Sequence, residues 1–123
     1  MNRKELEKLI FKEYKAKPDF PWDSAPTYAV FRHKENKKWF AVIMDIPKNR
    51  IGLENDEIIS IVNFKCDPIL VGSLILEEGF FKAYHMNKTN WITAALDGSA
   101  DDEKIKFLLD YSFDVTKKKT KNK

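Results

Sequence analysis

The 123-residue chain has few of the residues from which metal, disulfide and nucleotide sites are built. A single cysteine excludes a disulfide framework and a cysteine-rich zinc site. The two histidines, His33 and His85, fall in separate predicted strand–turn–strand segments, so we expect no metal site. The four glycines, at positions 52, 72, 79 and 98, are too widely spaced to form GxGxxG or a P-loop, and we expect no cofactor.

Long apolar segments are also missing. The longest nearly apolar run, from Pro68 to Leu76, is about half of the roughly 20 residues that span a bilayer. The segment from Met1 to Glu5 becomes amphipathic at once and lacks the apolar region of a signal peptide. A lone thiol, Cys66, suits a reducing compartment. We therefore expect a cytoplasmic protein without a membrane partner.

The net charge of +3 is concentrated at one end of the chain. Residues 117–123 hold five lysines and no acid, and removing those five charges leaves −2 for residues 1–116. Hydrophobic residues make up 43% of the chain, including nine Phe, four Tyr and three Trp, which is enough for one real core. We expect a single domain over residues 1–116 and a flexible, Lys-rich tail over residues 117–123 whose simplest role is solubility.

The spacing of apolar residues predicts helices and strands in the order α-β-β-β-α-β-β-α. We predict a two-layer α+β sandwich, in which three amphipathic helices cover an antiparallel sheet of about five strands. Phe20 and Trp22, in a Pro-rich connector, are expected to fold back onto the core. The last helix is expected to start at a Ser99 cap. The predicted strands are residues 28–32, 38–46, 57–64, 80–86 and 91–96. The predicted helices are residues 3–16, residues 68–78 and a last helix after Ser99, whose buried stripe is Ile105, Leu108, Leu109 and Ser112.

The tips of the two predicted hairpins are the best candidates for a binding site. The first tip, from Arg32 to Lys38, has four basic side chains, Lys37 among them, and one acid. The second segment has no acid, and its polar, basic and aromatic side chains can contact phosphates and stack on bases. The same pattern also fits a polar turn in which two aromatic side chains pack across the strands. This second segment runs from Phe80 to Leu96, and its candidate binding residues are Tyr84, His85, Asn87, Lys88 and Trp91.

One catalytic alternative can be written, a nucleophile–base pair of Cys66 and His85. However, a cysteine beside a helix N-cap, here Asp67, is more often a small buried residue. The acidic residues from Asp101 to Glu103 are explained by the dipole at a predicted helix start, and Glu77 and Glu78 most simply form a solvated helix end. We therefore expect that the protein is not an enzyme.

Two segments of the chain carry a more specific pattern. They are Lys65-Cys66-Asp67-Pro68, and Ala83-Tyr84-His85-Met86-Asn87-Lys88 continuing through Trp91-Ile92-Thr93. These segments resemble the signature blocks of the MmcQ/YjbR family, and weaker similarity extends over about residues 3–115. The resemblance implies a CyaY-like or secretion-chaperone-like α+β fold and a DNA-binding role through a "double wing" of two hairpins. It places Lys65, Tyr84, His85, Asn87, Lys88 and Trp91 at or near the binding site.

Two functional classes therefore stay open. The first is a monomeric DNA-binding protein that contacts the nucleic-acid backbone through its hairpin tips, weakly and with a strong dependence on salt. The second is a protein- or peptide-interaction module on the same fold, which the charge of −2 over residues 1–116 and the open antiparallel sheet favour.

Overall fold

A computed structural model describes residues 1–117; residues 118–123, which hold most of the predicted Lys-rich tail, lie outside the described residues. The helices and strands follow the predicted order. They are α1 (Arg3–Tyr14), β1 (Ala29–Arg32), β2 (Trp39–Pro47), a 3₁₀ turn (Lys48–Ile51), β3 (Ile58–Lys65), α2 (Pro68–Leu74), β4 (Phe80–Lys82), β5 (Trp91–Ala95) and α3 (Asp102–Thr116). Within the described part of the chain, the helices are too short or too polar to span a bilayer.

Each helix begins at a side chain that satisfies free backbone N–H groups of its first turn. Asn2 and Glu5 form a reciprocal capping box on α1, and the Asp67 carboxylate accepts from two N–H groups of α2. The predicted Ser99 cap of α3 is wrong. Asp101 caps α3 instead, at 3.0 Å from the Lys104 N–H, because the Ser99 hydroxyl is already bound to Asp97 in the preceding turn.

The sheet has five antiparallel strands in the order β1-β2-β3-β5-β4, which confirms the predicted fold class. Arg32 pairs with Trp39 across β1 and β2, and Lys65 pairs with Trp91 across β3 and β5. Both pairs lie where these strands begin or end, so the two predicted hairpin tips belong to the same end of the sheet.

Both faces of the sheet are buried, but by different structures. The three helices cover one face, which we call the helical face, where Val62 and Phe64 of β3 join side chains such as Leu6 and Ile105. The opposite face, which we call the loop face, carries Ile59, Ile61 and Asn63 of β3, because successive side chains of a strand point to opposite faces. Loops cover it instead of helices. The partly buried side chains that pack on it come from these loops, from the 3₁₀ turn and from β2 and β4, and they are Tyr28, Trp39, Ile51, Leu53, Phe81 and Tyr84.

β4 is shorter than predicted, ending at Lys82 instead of Met86. The Tyr84 N–H donates to Thr93 Oγ1 at 2.9 Å, and the Tyr84 carbonyl accepts from Asn63 Nδ2 at 2.9 Å. These side chains replace the partners that a continued strand would offer. Residues 83–90 therefore fold over the loop face as a loop. The predicted second hairpin is confirmed, since β4 and β5 pair antiparallel, but its loop spans residues 83–90 instead of a short turn after Met86.

The connector between α1 and β1 also differs from the prediction. Phe20 is 51% exposed and does not reach the core, because the backbone of Asp19 pairs with that of Val30 along the sheet edge. Trp22 is 37% exposed, yet its ring packs edge-on against Trp39 at 5.6 Å between centroids. Of these two connector side chains, only Trp22 covers part of the loop face.

We predict that Gly79→Ala lowers the free energy of unfolding by more than about 1 kcal/mol. Gly79 has φ +85°, and an added Cβ would overlap the Ala100 backbone. Gly72→Ala is the matched control, because Gly72 lies in α2 with open space around it. This second change should raise stability by about 0.5–1 kcal/mol. Urea unfolding of both variants tests the pair, and equal effects would contradict the prediction.

Candidate functional site

The first hairpin tip is fastened to the end of α3. The buried His33 ring donates from Nε2 to the Phe113 carbonyl and to Thr116 Oγ1, both at 3.0 Å. Asn36 Nδ2 donates to the Thr116 carbonyl at 2.9 Å. These contacts satisfy carbonyls that the helix end leaves free. Burial lowers the pKa of His33, so the ring is neutral at physiological pH. The tip is therefore rigid, and its exposed cations are Lys34, Lys37 and Lys38.

Two cation–tryptophan pairs lie at the end of the sheet, beside this tip. The Arg32 guanidinium lies 5.6 Å from the Trp39 ring centroid, and Lys65 Nζ lies 5.7 Å from that of Trp91. Arg32 also donates from Nε to the Asp19 carboxylate at 2.9 Å, which neutralises much of its charge. Trp91 is only 9% exposed. Trp91 therefore supports Lys65 from beneath and offers little ring surface to a ligand.

The remaining candidate residues lie in the loop over residues 83–90 and differ in their exposure to solvent. Tyr84 is half-buried, while His85 is exposed, with a left-handed φ of +59°, and its ring lies 4.1 Å from that of Tyr84. Asn87 Oδ1 accepts from the N–H groups of Thr89 and Asn90 at 2.8 and 3.2 Å. Asn87 thus shapes the turn that leaves Lys88 exposed.

A cavity of about 350 Å³ beside β4 brings together three exposed cations: Arg50, Lys82 and Lys88. We call this cavity the basic cleft. Its other lining residues are apolar or aromatic, among them Ile51, Phe81 and Tyr84. Among residues 1–117, none of the three cations forms an ion pair, and no acid lines the cleft.

Sequence reasoning missed Arg50, which the 3₁₀ turn brings to the cleft. The available signal was the segment from Pro47 to Leu53, which contains two cations and no acid. Locally that segment indicates only a break between strands, since nothing in it shows that Arg50 comes close to β4.

A second cavity of about 490 Å³ opens on the loop face between the connector and the loop over residues 83–90. We call it the aromatic groove. The Trp22 ring lies perpendicular to Trp39 at 5.6 Å, and nearly perpendicular to Tyr28 at 6.0 Å. Among residues 1–117, no Asp, Glu, Lys or Arg lines it. Its lining residues are Trp22, Ser24, Ala25, Tyr28, Trp39, Val42, Met44, His85 and Met86.

A third cavity, of about 520 Å³, lies beside the first hairpin tip. Four cations line it, but Glu35 lines it too, and Arg32 is already paired with Asp19. Its charge is therefore more balanced than that of the basic cleft.

Cys66 and His85 do not form a nucleophile–base pair. Cys66 is 3% exposed and packs in the core of the helical face, whereas His85 lines the aromatic groove on the loop face. Burial raises the pKa of the Cys66 thiol to about 11. Among residues 1–117, the His, Cys, Asp and Glu side chains do not gather in threes where a metal ion would fit.

The fold is thus a two-layer α+β sandwich with an aromatic groove on its loop face and a basic cleft beside β4. The chain matches the YjbR family model over residues 11–115 and belongs to that family, which confirms the resemblance seen in the sequence. It is 35% identical over 117 residues to the uncharacterized protein YyaQ of Bacillus subtilis (strain 168), and this match covers 95% of the chain and 99% of YyaQ.

Solved structures agree with this assignment. A crystal structure of a Pseudomonas syringae protein, structural genomics target PsR293, matches with a TM-score of 0.93 and 44% identity, over 95% of this chain and all (100%) of that one. A solution structure of the same target matches with a TM-score of 0.88 and 42% identity, over 100% and 98%. The DUF419 protein DR2400 of Deinococcus radiodurans shares the fold, with a TM-score of 0.71 at 22% identity, over 99% and 83%.

We predict that the buried neutral His33 makes stability pH-dependent. Below about pH 6.5 the unfolded chain binds a proton at His33 more readily than the folded chain does. The free energy of unfolding therefore decreases as the pH is lowered through this range. His33→Gln removes the titrating ring and should flatten this part of the profile. Urea unfolding between about pH 7.5 and pH 5 tests it. Parallel profiles for the two proteins would contradict the prediction.

We also predict that native Cys66 reacts slowly with iodoacetamide. With a pKa of about 11, its thiolate fraction at neutral pH is roughly 100-fold below that of a thiol with the ordinary value of 9.0. The rate should rise when the chain is unfolded in urea. A native rate equal to the unfolded rate would show that the thiol is accessible and ionised.

Proposed function

We propose that this YjbR-family protein binds DNA, and that the basic cleft holds backbone phosphates. The observation that carries the proposal is the convergence of Arg50, Lys82 and Lys88 with no ion-pair partner among residues 1–117 and no acid in the cleft. Three unpaired cations repel one another, and an anionic ligand relieves that repulsion. Guanidinium and ammonium groups form charge-assisted hydrogen bonds with phosphate oxygens.

The distribution of charge supports local contact over broad electrostatic attraction. Residues 1–116 carry −2, so the protein body does not attract nucleic acid as a whole. The exposed lysines of the first hairpin tip offer a second contact region, at the end of the sheet where Lys65 also lies. Two separated contact regions are what the "double wing" resemblance implies. Few phosphate contacts favour modest affinity and a strong dependence on salt.

We expect a labelled DNA duplex to bind at low salt, with log K falling against log salt at a slope of roughly −0.9 for each phosphate contacted. Arg50→Ala and Lys88→Ala should each weaken binding for all duplex sequences and reduce the slope by about 1. Lys8→Ala is the matched control, because Lys8 is an exposed lysine of α1 in the helical layer. Fluorescence anisotropy over a salt series measures both quantities.

Two results would overturn the proposal. One is the absence of DNA binding by the wild-type protein even at low salt, for duplex and single-stranded DNA alike. The other is equal weakening by Arg50→Ala, Lys88→Ala and Lys8→Ala, which would show that only total charge matters and that the basic cleft has no special role.

A further inference from the structure

The aromatic groove and the basic cleft lie on the two sides of one short segment. Tyr84 lines the basic cleft, whereas His85 and Met86, the next two residues, line the aromatic groove. Consecutive Cα atoms are about 3.8 Å apart, so the residues of this segment that line the two cavities are only a few ångströms from one another. The structure therefore places an uncharged aromatic cavity next to a cationic one.

This pairing of cavities matches the two chemical parts of a nucleotide. A base is flat and uncharged, and it stacks on aromatic rings; its phosphate is anionic and binds Arg and Lys. The ring of Trp22 is 37% exposed and borders the groove, so ring surface is available for stacking. The groove also offers the polar atoms of Ser24, Tyr28 and His85 to the edge of a base.

We propose that the aromatic groove takes an unpaired nucleobase whose phosphate lies in the basic cleft, so that the protein prefers single-stranded over duplex DNA. The inference rests on the proposed function and adds the form of nucleic acid to it. In a duplex both faces of a base are stacked on its neighbours, and only an unstacked base can reach rings inside a groove. The groove walls, from the connector and from the loop over residues 83–90, enclose a space of about 490 Å³ over Trp39, Val42 and Met44.

The two walls are held in place before any ligand binds. Asn63 and Thr93 bind the backbone of Tyr84, which fixes one wall to the sheet. On the other wall, Arg3 Nη2 donates to the Thr27 carbonyl at 2.6 Å, next to Tyr28. A preformed groove does not have to order its loops on binding, which favours affinity.

The test compares three labelled ligands of equal length: single-stranded oligothymidylate, the same strand with abasic sites, and a DNA duplex. The abasic strand keeps the phosphates and lacks the bases. We expect wild-type protein to bind oligothymidylate on the order of tenfold more tightly than the abasic strand. It should also bind oligothymidylate more tightly than the duplex, and stacking should quench tryptophan fluorescence.

Trp22→Ala should remove the preference for bases and leave binding of the abasic strand unchanged. Phe20→Ala is the matched control, because Phe20 is exposed on the same connector and does not line the groove. Trp22→Phe keeps an aromatic ring and should retain most of the preference, which separates stacking from a loss of folding.

The possible results distinguish this inference from the proposed function. Equal binding of all three ligands by the wild-type protein would overturn the base site and leave DNA binding intact. An unchanged base preference in Trp22→Ala would likewise overturn it. Failure of every nucleic acid to bind would overturn both proposals. A competition experiment covers the protein alternative. If an acidic peptide with an aromatic residue displaces labelled oligothymidylate at a lower concentration than unlabelled oligothymidylate does, the groove belongs to a protein partner instead.

Discussion

The arrangement of the loop face depends on a buried pair of polar side chains at the centre of the sheet. Asn63 and Thr93 lie opposite each other on β3 and β5 and are fully buried, and the Thr93 hydroxyl donates to Asn63 Oδ1. Buried polar groups must be hydrogen-bonded, and the backbone of Tyr84 supplies the remaining partners. This requirement ends β4 and lays the following loop across the sheet. That loop then separates the aromatic groove from the basic cleft.

The two faces of the sheet differ in chemistry because helices cover one of them and loops cover the other. The helices cover their face of the sheet with apolar side chains. The polar side chains that they place there form hydrogen bonds that hold the helices to the sheet. Ser112 of α3, for example, accepts from the Lys65 N–H at 2.9 Å and donates to the Phe40 carbonyl at 2.7 Å. Loops cover the other face incompletely, so cavities remain between them. Aromatic side chains and unpaired cations border these cavities, and the proposed chemistry is therefore concentrated on the loop face and at the neighbouring β4 edge.

Much of the fold could be predicted because it depends on local patterns. Apolar spacing identified all three helices and all five strands, and the buried stripe of Ile105, Leu108, Leu109 and Ser112 on α3 is confirmed. The candidate site was predicted less well. Lys88 and His85 lie where a ligand can reach them, but Trp91 is buried and Arg32 is paired. Arg50 and Trp22 were not among the candidates, since their roles depend on contacts with distant parts of the chain.

The sequence alone determined the class of fold, the family resemblance and the location of net positive charge, because each depends on residue identity and short-range spacing. Only the tertiary structure decided which cations stay unpaired, which aromatic rings border a cavity and where β4 ends. Those features follow from side chains such as Asn63, which binds the backbone 21 residues away, and from the 3₁₀ turn that returns Arg50 to the sheet edge. No local pattern records such contacts, since they form only when the whole sheet has assembled.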